Sequence, residues 1–410
     1  MNLPLGDNHR SLAPRHVVAT VGIAGTVQTF TAFAMSSASV LAPVVASEIG
    51  VPATDVGYVV AAQFASGIVA GLVCGTLIAR VGPVRSLQIA VACAIVGLSL
   101  AAGRHAALIV LFAALVGFAH GLVNPASSHV LMQASPPRMR SLIFSIKQTG
   151  VPLGYAIAGL ILPPMLLWMS WQHAVLLVAL ASVTFLFLLA PLRRLYDRKL
   201  RSGARLNFRS LIEPLRASVS SPELRRFILG AAVFPFVQPC VTAYMVSFLT
   251  LELGYSLVAA GLVFAATNIA TVVARVLWGA LADWTGSARH VLAGLGIMMG
   301  LCCAGAAKFS PDWPMAGVTT VCILWGVSAV GWNGVYLAEV ARLAPEGKVG
   351  LVTGGSQVYL FSGSVIAPPL FGMLAAAAGF RFAYLLLGIA PVLAGLLLLR
   401  SPAIRAARPE

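Results

Sequence analysis

The chain has 410 residues, 59% of them hydrophobic and only 10% charged. Soluble domains carry about 25% charged residues, so composition alone excludes an ordinary cytosolic enzyme, a disordered chain and a disulfide scaffold. The formal charge of +15 therefore has to be explained in a chain made mostly for lipid.

Twelve long apolar stretches follow one another, over 17–42, 56–79, 86–103, 107–133, 141–166, 173–192, 227–250, 257–282, 290–307, 315–341, 349–376 and 382–400. Each is close to the length of about 20 residues that a bilayer-spanning helix needs. Open backbone in hydrocarbon leaves polar groups unpaired, so such segments cross lipid only as helices. They are continuously apolar rather than alternating, which excludes a β-barrel. The expected fold class is an all-α membrane protein. Arg10 and Arg15 precede a first stretch too long for the core of a signal peptide. In the fifth stretch, Gly150-Val-Pro152-Leu-Gly154, Gly159 and Pro163-Pro164 predict close helix contacts and a bend. The only long polar segment, 192–226, holds ten cations. It reads as a linker with one amphipathic helix near 208–218 lying against anionic lipid headgroups. Ser220-Ser221-Pro222-Glu223 reads as a capping box opening the seventh span. The six cysteines lie in apolar runs without ligand spacing and read as packing residues, and no metal or cofactor is expected.

With the amino terminus inside, the inner segments hold twenty-two Lys and Arg residues, and the outer ones hold only Arg104, Lys308 and Arg381. The positive-inside rule then puts both termini in the cytoplasm. The basic residues are scattered over seven loops instead of being interleaved with aromatics on one face, which argues against a nucleic-acid partner. The expected location is a bacterial-type inner membrane, crossed many times.

The two halves resemble each other. Val27, Gln28, Met35 and Ser37 recur 210 positions later as Val237, Gln238, Met245 and Ser247. Gly117, Asn124, Pro136, Gln148 and Gly154 recur at an offset of 209 as Gly326, Asn333, Pro345, Gln357 and Gly363. Gly75, Leu77, Gly82 and Arg85 recur as Gly279, Leu281, Gly286 and Arg289. Three matches at corresponding places predict two six-helix bundles, 1–191 and 227–410, joined by the linker 192–226. Internal repeats of this kind mark secondary transporters, with the substrate site near mid-membrane between the repeats.

The run Gly279-Ala-Leu281-Ala-Asp283-Trp-Thr-Gly286-Ser-Ala-Arg289 resembles the cytoplasmic-loop signature of the major facilitator superfamily. Gly75-Thr-Leu77-Ile-Ala79-Arg80-Val-Gly82-Pro-Val-Arg85 is its degenerate first-half copy, with Ala79 in the place of the acid. The resemblance implies two bundles around a central cavity that opens alternately to either side. It also implies that Asp283 braces the cytoplasmic gate and that the partner of Ala79 is weak.

Lys147 and Arg275 are the two cations inside spans. A cation at mid-helix is costly and so a functional candidate. Lys147 lies seven residues into the fifth span and Arg275 eight residues before Asp283, which at 1.5 Å per residue puts both about 10–12 Å from the cytoplasmic end. At about 8 Å apart they would repel by about 2 kcal/mol, and the sequence offers no acid at that depth. A cavity with two cations and no resident counter-ion is completed by an anion. Against this, Lys147 can snorkel to the surface, and Arg275 can pair with Asp283 or a helix carbonyl. Val272-Val-Ala-Arg275-Val-Leu-Trp-Gly279 resembles the eighth helix of monocarboxylate and oxalate/formate porters, where an Arg holds the substrate carboxylate. Thr271 stands where monocarboxylate porters carry an Asp.

Gln28, Gln148, Gln238, Asn268 and Asn333 are the polar candidates to orient a substrate, and Trp332 and Tyr336 the aromatic ones to contact its body. His120 and Glu339 are the candidates to carry a proton. The expected function is secondary transport of a small organic anion, a carboxylate above all, by proton coupling or exchange. The alternative is an efflux pump for neutral or amphiphilic compounds with Lys147 and Arg275 structural. No nucleophile–base pair, metal cluster or phosphate loop supports an enzyme.

Overall fold

The computed structural model describes residues 14–134, 140–197, 208–345 and 348–400. The first half contains α1 (Pro14–Ile49), α2 (Val56–Val81), α3 (Pro83–Ala101), α4 (Ala106–Ala134), α5 (Arg140–Gln148), α6 (Gly150–Met165), α7 (Trp171–Ser182) and α8 (Thr184–Tyr196). The linker contributes α9 (Phe208–Ser218). The second half contains α10 (Pro222–Ala231), α11 (Phe234–Leu251), α12 (Leu257–Thr285), α13 (Ala288–Ala306), α14 (Met315–Ala329), α15 (Asn333–Leu343), α16 (Val349–Ala378) and α17 (Phe380–Arg400). Regular structure among the described residues is helical throughout.

Eleven helices among the described residues are long and apolar enough to cross a membrane. The remaining expected stretch, 141–166, is present as α5 and α6, of 9 and 16 residues, interrupted at Thr149. Pro152 causes the interruption. It has no N–H to give to the Gln148 carbonyl, so the helical ladder fails there. Three further stretches expected to be continuous are also two-piece. Pro235 removes the donor for the Ala231 carbonyl and separates α10 from α11. Ser182 and Thr184 turn their hydroxyls back on the Val178 and Ala181 carbonyls between α7 and α8. The tenth stretch is interrupted at 330–332, between α14 and α15. The opening of the seventh stretch also differs from the expected capping box. Ser221 is the cap, accepting from the Leu224 N–H at 3.1 Å, and Pro222 takes the first helical position, so Glu223 is one residue short of a box.

One apolar core lies within the first half among α1, α2, α3, α4 and the ends of α7 and α8. The helices approach closely because small residues face each other. On α4, Gly117 and Gly121 lie against Gln63 and Gly67 of α2, and a Cβ at Gly117 would stand 2.0 Å from the Gln63 carbonyl oxygen.

The second core fills the second half and continues into the outer ends of α1, α2, α6 and α7, on the face that the Lys and Arg distribution assigns to the outside. There the halves meet backbone to backbone. A Cβ on Gly159 of α6 would lie 2.6 Å from the Gly261 carbonyl oxygen of α12, and one on Gly261 would lie 2.5 Å from that of Gly159. Tyr155 stacks on Phe264 beside this contact, ring centres 6.2 Å apart. The Tyr244 hydroxyl meets the Thr54 carbonyl at 2.9 Å and the Pro368 carbonyl at 2.7 Å, adding a polar tie between halves. At the opposite face α9 forms where the amphipathic pattern predicts it, but it also docks on protein. Ser218 donates to the Val352 carbonyl of α16 at 2.9 Å, and Gly355 of α16 lies against the Pro214 backbone.

Candidate functional site

The two broken helices, α5–α6 and α14–α15, converge on Arg275. A helix end leaves its last carbonyls without intrahelical donors and carries partial negative charge. At the end of α14 three side chains supply the donors: Trp278 Nε1 to the Val327 carbonyl at 2.8 Å, Trp332 Nε1 to the Ala329 carbonyl at 3.0 Å and Arg275 Nη2 to the Val330 carbonyl at 3.2 Å. Nη1 of Arg275 crosses to the first half and donates to the Gln148 carbonyl at 2.8 Å, the group that Pro152 leaves without a helical partner. One guanidinium thus joins two helix termini, one from each half. Among the described residues no carboxylate is bonded to it or to Lys147.

The guanidinium keeps spare capacity. Its Nε is buried without a partner, as is Oε1 of Gln148. Gln28 is fully buried, and both its amide oxygen and nitrogen are unpartnered. Its Cβ lies 3.2 Å from where a side chain on Gly150 would begin, so it sits directly behind the break in the fifth span. Buried polar atoms nearly always find partners. Three residues around one helix break keep unpartnered polar atoms.

The other sequence candidates divide by location. Lys147 is 1% exposed and turns into the first half, donating to Asn124 Oδ1 at 2.6 Å and to the Asn124 carbonyl at 3.3 Å. The two intramembrane cations therefore take different partners. His120, one turn before Asn124 on α4, has an unpartnered buried Nδ1. Gln238 of α11 accepts from Asn333 of α15 at 3.4 Å, a long bond between two partly accessible side chains. Asn268 is buried and donates to the Phe264 carbonyl of its own helix at 2.9 Å. Trp332 and Tyr336 are buried inside the second half, against Phe234 and Phe227 respectively. Glu339 is held by Arg342 at 2.5 Å on α15.

The signature residues gather at the cytoplasmic end. Gly75 and Arg80 are exposed on α2, and Gly279 and Asp283 lie on the last turns of α12, where Asp283 is exposed. Gly286 ends that helix in a left-handed conformation, φ 63°, and Arg289 lies in the first turn of α13. Sequence reasoning passed over Asp197, counting it only among the loop acids. Its carboxylate reaches from the end of α8 to the start of α3, accepting from the Val84 N–H at 2.9 Å and the Arg85 N–H at 3.1 Å. It fills the space where a Gly82 side chain would be, 2.3 Å from that Cβ position, and Gly82 has φ 96°. An acid thus reaches the first-half loop from the sixth span, although Ala79 removes the one within the signature. Its signal in the sequence was its place three residues after Arg194, at the start of the basic segment.

Residues 24–368 match the Major Facilitator Superfamily. The chain belongs to that superfamily. An uncharacterized MFS-type transporter of Mycobacterium tuberculosis is 27% identical over 72% of this chain, which spans 65% of that relative's length, just under two thirds. A probable nitrate/nitrite transporter, NarK2, of the same organism is 29% identical over 75% of this chain and 77% of its own. Among solved structures, a peptide transporter POT in complex with sulfate superposes with a TM-score of 0.75 at 14% identity, covering 94% of each chain. The chain is a multi-pass integral protein of the bacterial inner membrane.

Proposed function

We propose that the chain carries a small organic anion, a carboxylate, across the membrane by alternating access, with Arg275 holding the charged end. The supporting observation is the guanidinium of Arg275, half-buried between the halves and bonded only to carbonyls, with the unpartnered Gln148 Oε1 and Gln28 amide at the same helix break. The planar fork of donors on Arg suits a planar oxyanion, and the amide N–H of Gln28 offers it a further bond. Lys147 adds positive potential one residue from Gln148, its ammonium oriented by Asn124. The Gln238–Asn333 pair, long and partly accessible, stands ready to contact the remainder of the substrate. Trp332, Tyr336 and Asn268 lie in the second-half scaffold, with Asn268 Oδ1 and the Tyr336 hydroxyl unpartnered. The exposed Arg216, Arg225 and Arg226, on and just after the docked α9, are offered to anionic headgroups.

The similarity to a probable nitrate/nitrite transporter favours a second reading, an inorganic planar oxyanion at the same guanidinium. Uptake into proteoliposomes of acetate, lactate, pyruvate, nitrate and a cationic dye, with Arg275→Gln alongside, separates these. Carboxylate uptake that Arg275→Gln lowers by about a hundredfold, the loss of a charge-assisted bidentate contact of about 3 kcal/mol, supports the first reading. Nitrate uptake alone supports the second. Dye transport indifferent to Arg275 defeats both and leaves an efflux pump.

A further inference from the structure

We infer that the carrier is an obligate exchanger, in which the Arg275–Gln148 bond latches the two halves together whenever no anion is bound. The inference rests on Arg275 being the anion site.

The latch has two members, each with no other partner at that point. Arg275 belongs to α12 of the second half, and the Gln148 carbonyl lies at the broken end of α5 in the first. Residue 152, four positions beyond Gln148, is the one that would donate to this carbonyl in a continuous helix, and it is proline. In this structure the guanidinium and the carbonyl satisfy each other. Alternating access rocks one bundle against the other around the site. Pulling Arg275 from Gln148 without a substitute strands a half-buried charge with half its contacts, which is costly. Among the described residues no carboxylate stands by to take the guanidinium over. A bound anion does take it over. Its oxygens replace the carbonyl on the guanidinium, so the halves separate with Arg275 still paired. The loaded carrier crosses readily and the empty one does not, which is the condition for one anion to leave only as another arrives.

The outer tie between Tyr244, Thr54 and Pro368 also joins the halves, but it involves no charge and no anion competes for it. The anion-dependent barrier therefore sits at Arg275.

Proteoliposomes loaded with radiolabelled lactate, and in parallel with nitrate, are diluted into buffer with or without the same unlabelled anion. A charge-assisted hydrogen bond shifts an equilibrium by a factor of about ten to a hundred, so efflux is expected to be at least about tenfold faster with anion outside. Pro152→Ala returns a competing N–H to the Gln148 carbonyl and so weakens its bond to Arg275. It should raise efflux into anion-free buffer by about tenfold while leaving exchange within about twofold. Equal wild-type efflux in the two buffers, or net efflux driven by a proton gradient without external anion, overturns the latch. The wild-type comparison decides by itself if Pro152→Ala fails to assemble. No flux of either anion in any condition overturns the anion site together with the latch, whereas anion flux with equal rates overturns the latch alone.

Discussion

Replacing Asp197 by Ala removes the group that organises the start of α3. That helix has no cap of its own: Gly82 precedes it without a side chain, and Pro83 occupies its first position. The first N–H groups of a helix have no intrahelical acceptor, and here the Asp197 carboxylate takes two of them, at 2.9 and 3.1 Å. Loss of a helix cap costs typically about 1 kcal/mol, and the charge facing the helix start adds about 0.3–1 kcal/mol. Asp197 is partly exposed, which keeps the sum to about 1.5 kcal/mol. Local opening of the first turn of α3 should therefore rise about tenfold, since 1.36 kcal/mol is a factor of ten. Hydrogen exchange of the peptide covering residues 83–90, read by mass spectrometry in lipid nanodiscs, measures this directly. Asp197→Asn keeps an acceptor without the charge and should give an intermediate increase of about threefold. Equal exchange in all three proteins would refute the assignment of Asp197 as the cap of α3.

Gly117→Ala, whose Cβ would meet the Gln63 backbone at 2.0 Å, must spread α2 from α4. Overpacking of this kind costs about 1–3 kcal/mol, read as a fall of several degrees in the thermal midpoint in detergent. Gly71→Ala, with nothing within 4 Å, should leave that midpoint within about a degree. Tyr244→Phe leaves the Thr54 and Pro368 carbonyls without their shared donor. At about 1–3 kcal/mol for unsatisfied buried groups, hydrogen exchange over 52–58 should quicken about tenfold while α4 is unaffected. A loss of protection spread evenly over both segments would mean that Tyr244 stabilises the whole molecule and not the outer contact.

What the sequence revealed was what composition and periodicity encode. Apolar length identified the spans, because hydrocarbon allows the backbone few solutions. The repeat and the signature run identified the superfamily. Amphipathic spacing over 208–218 located α9, but pattern alone does not say whether the apolar face meets lipid or protein, and it meets α16. The interruption at Pro152 was readable as a bend and the one at Pro235 was passed over, whereas the one at 330–332 has no proline and depends on Trp278, Trp332 and Arg275 satisfying its carbonyls. The candidate site was half legible. Arg275 and Lys147 stood out as intramembrane cations, but rotation about a helix axis decides which neighbour a side chain meets. One residue separates Lys147, which faces α4, from the Gln148 carbonyl that meets Arg275. Asp197 was hidden because its role depends on two chain segments more than a hundred residues apart.

The contact between Gly159 and Gly261 carries a consequence for how such a carrier responds to its surroundings. Where two halves are closed by side-chain charges, salt and acidity outside the cell loosen or tighten the closure directly. Here the outer closure is formed by peptide against peptide, with neither ionisable group nor flexible side chain at its centre. The external medium has nothing at that contact to titrate or screen, so this part of the closure is insensitive to the salt and acidity outside.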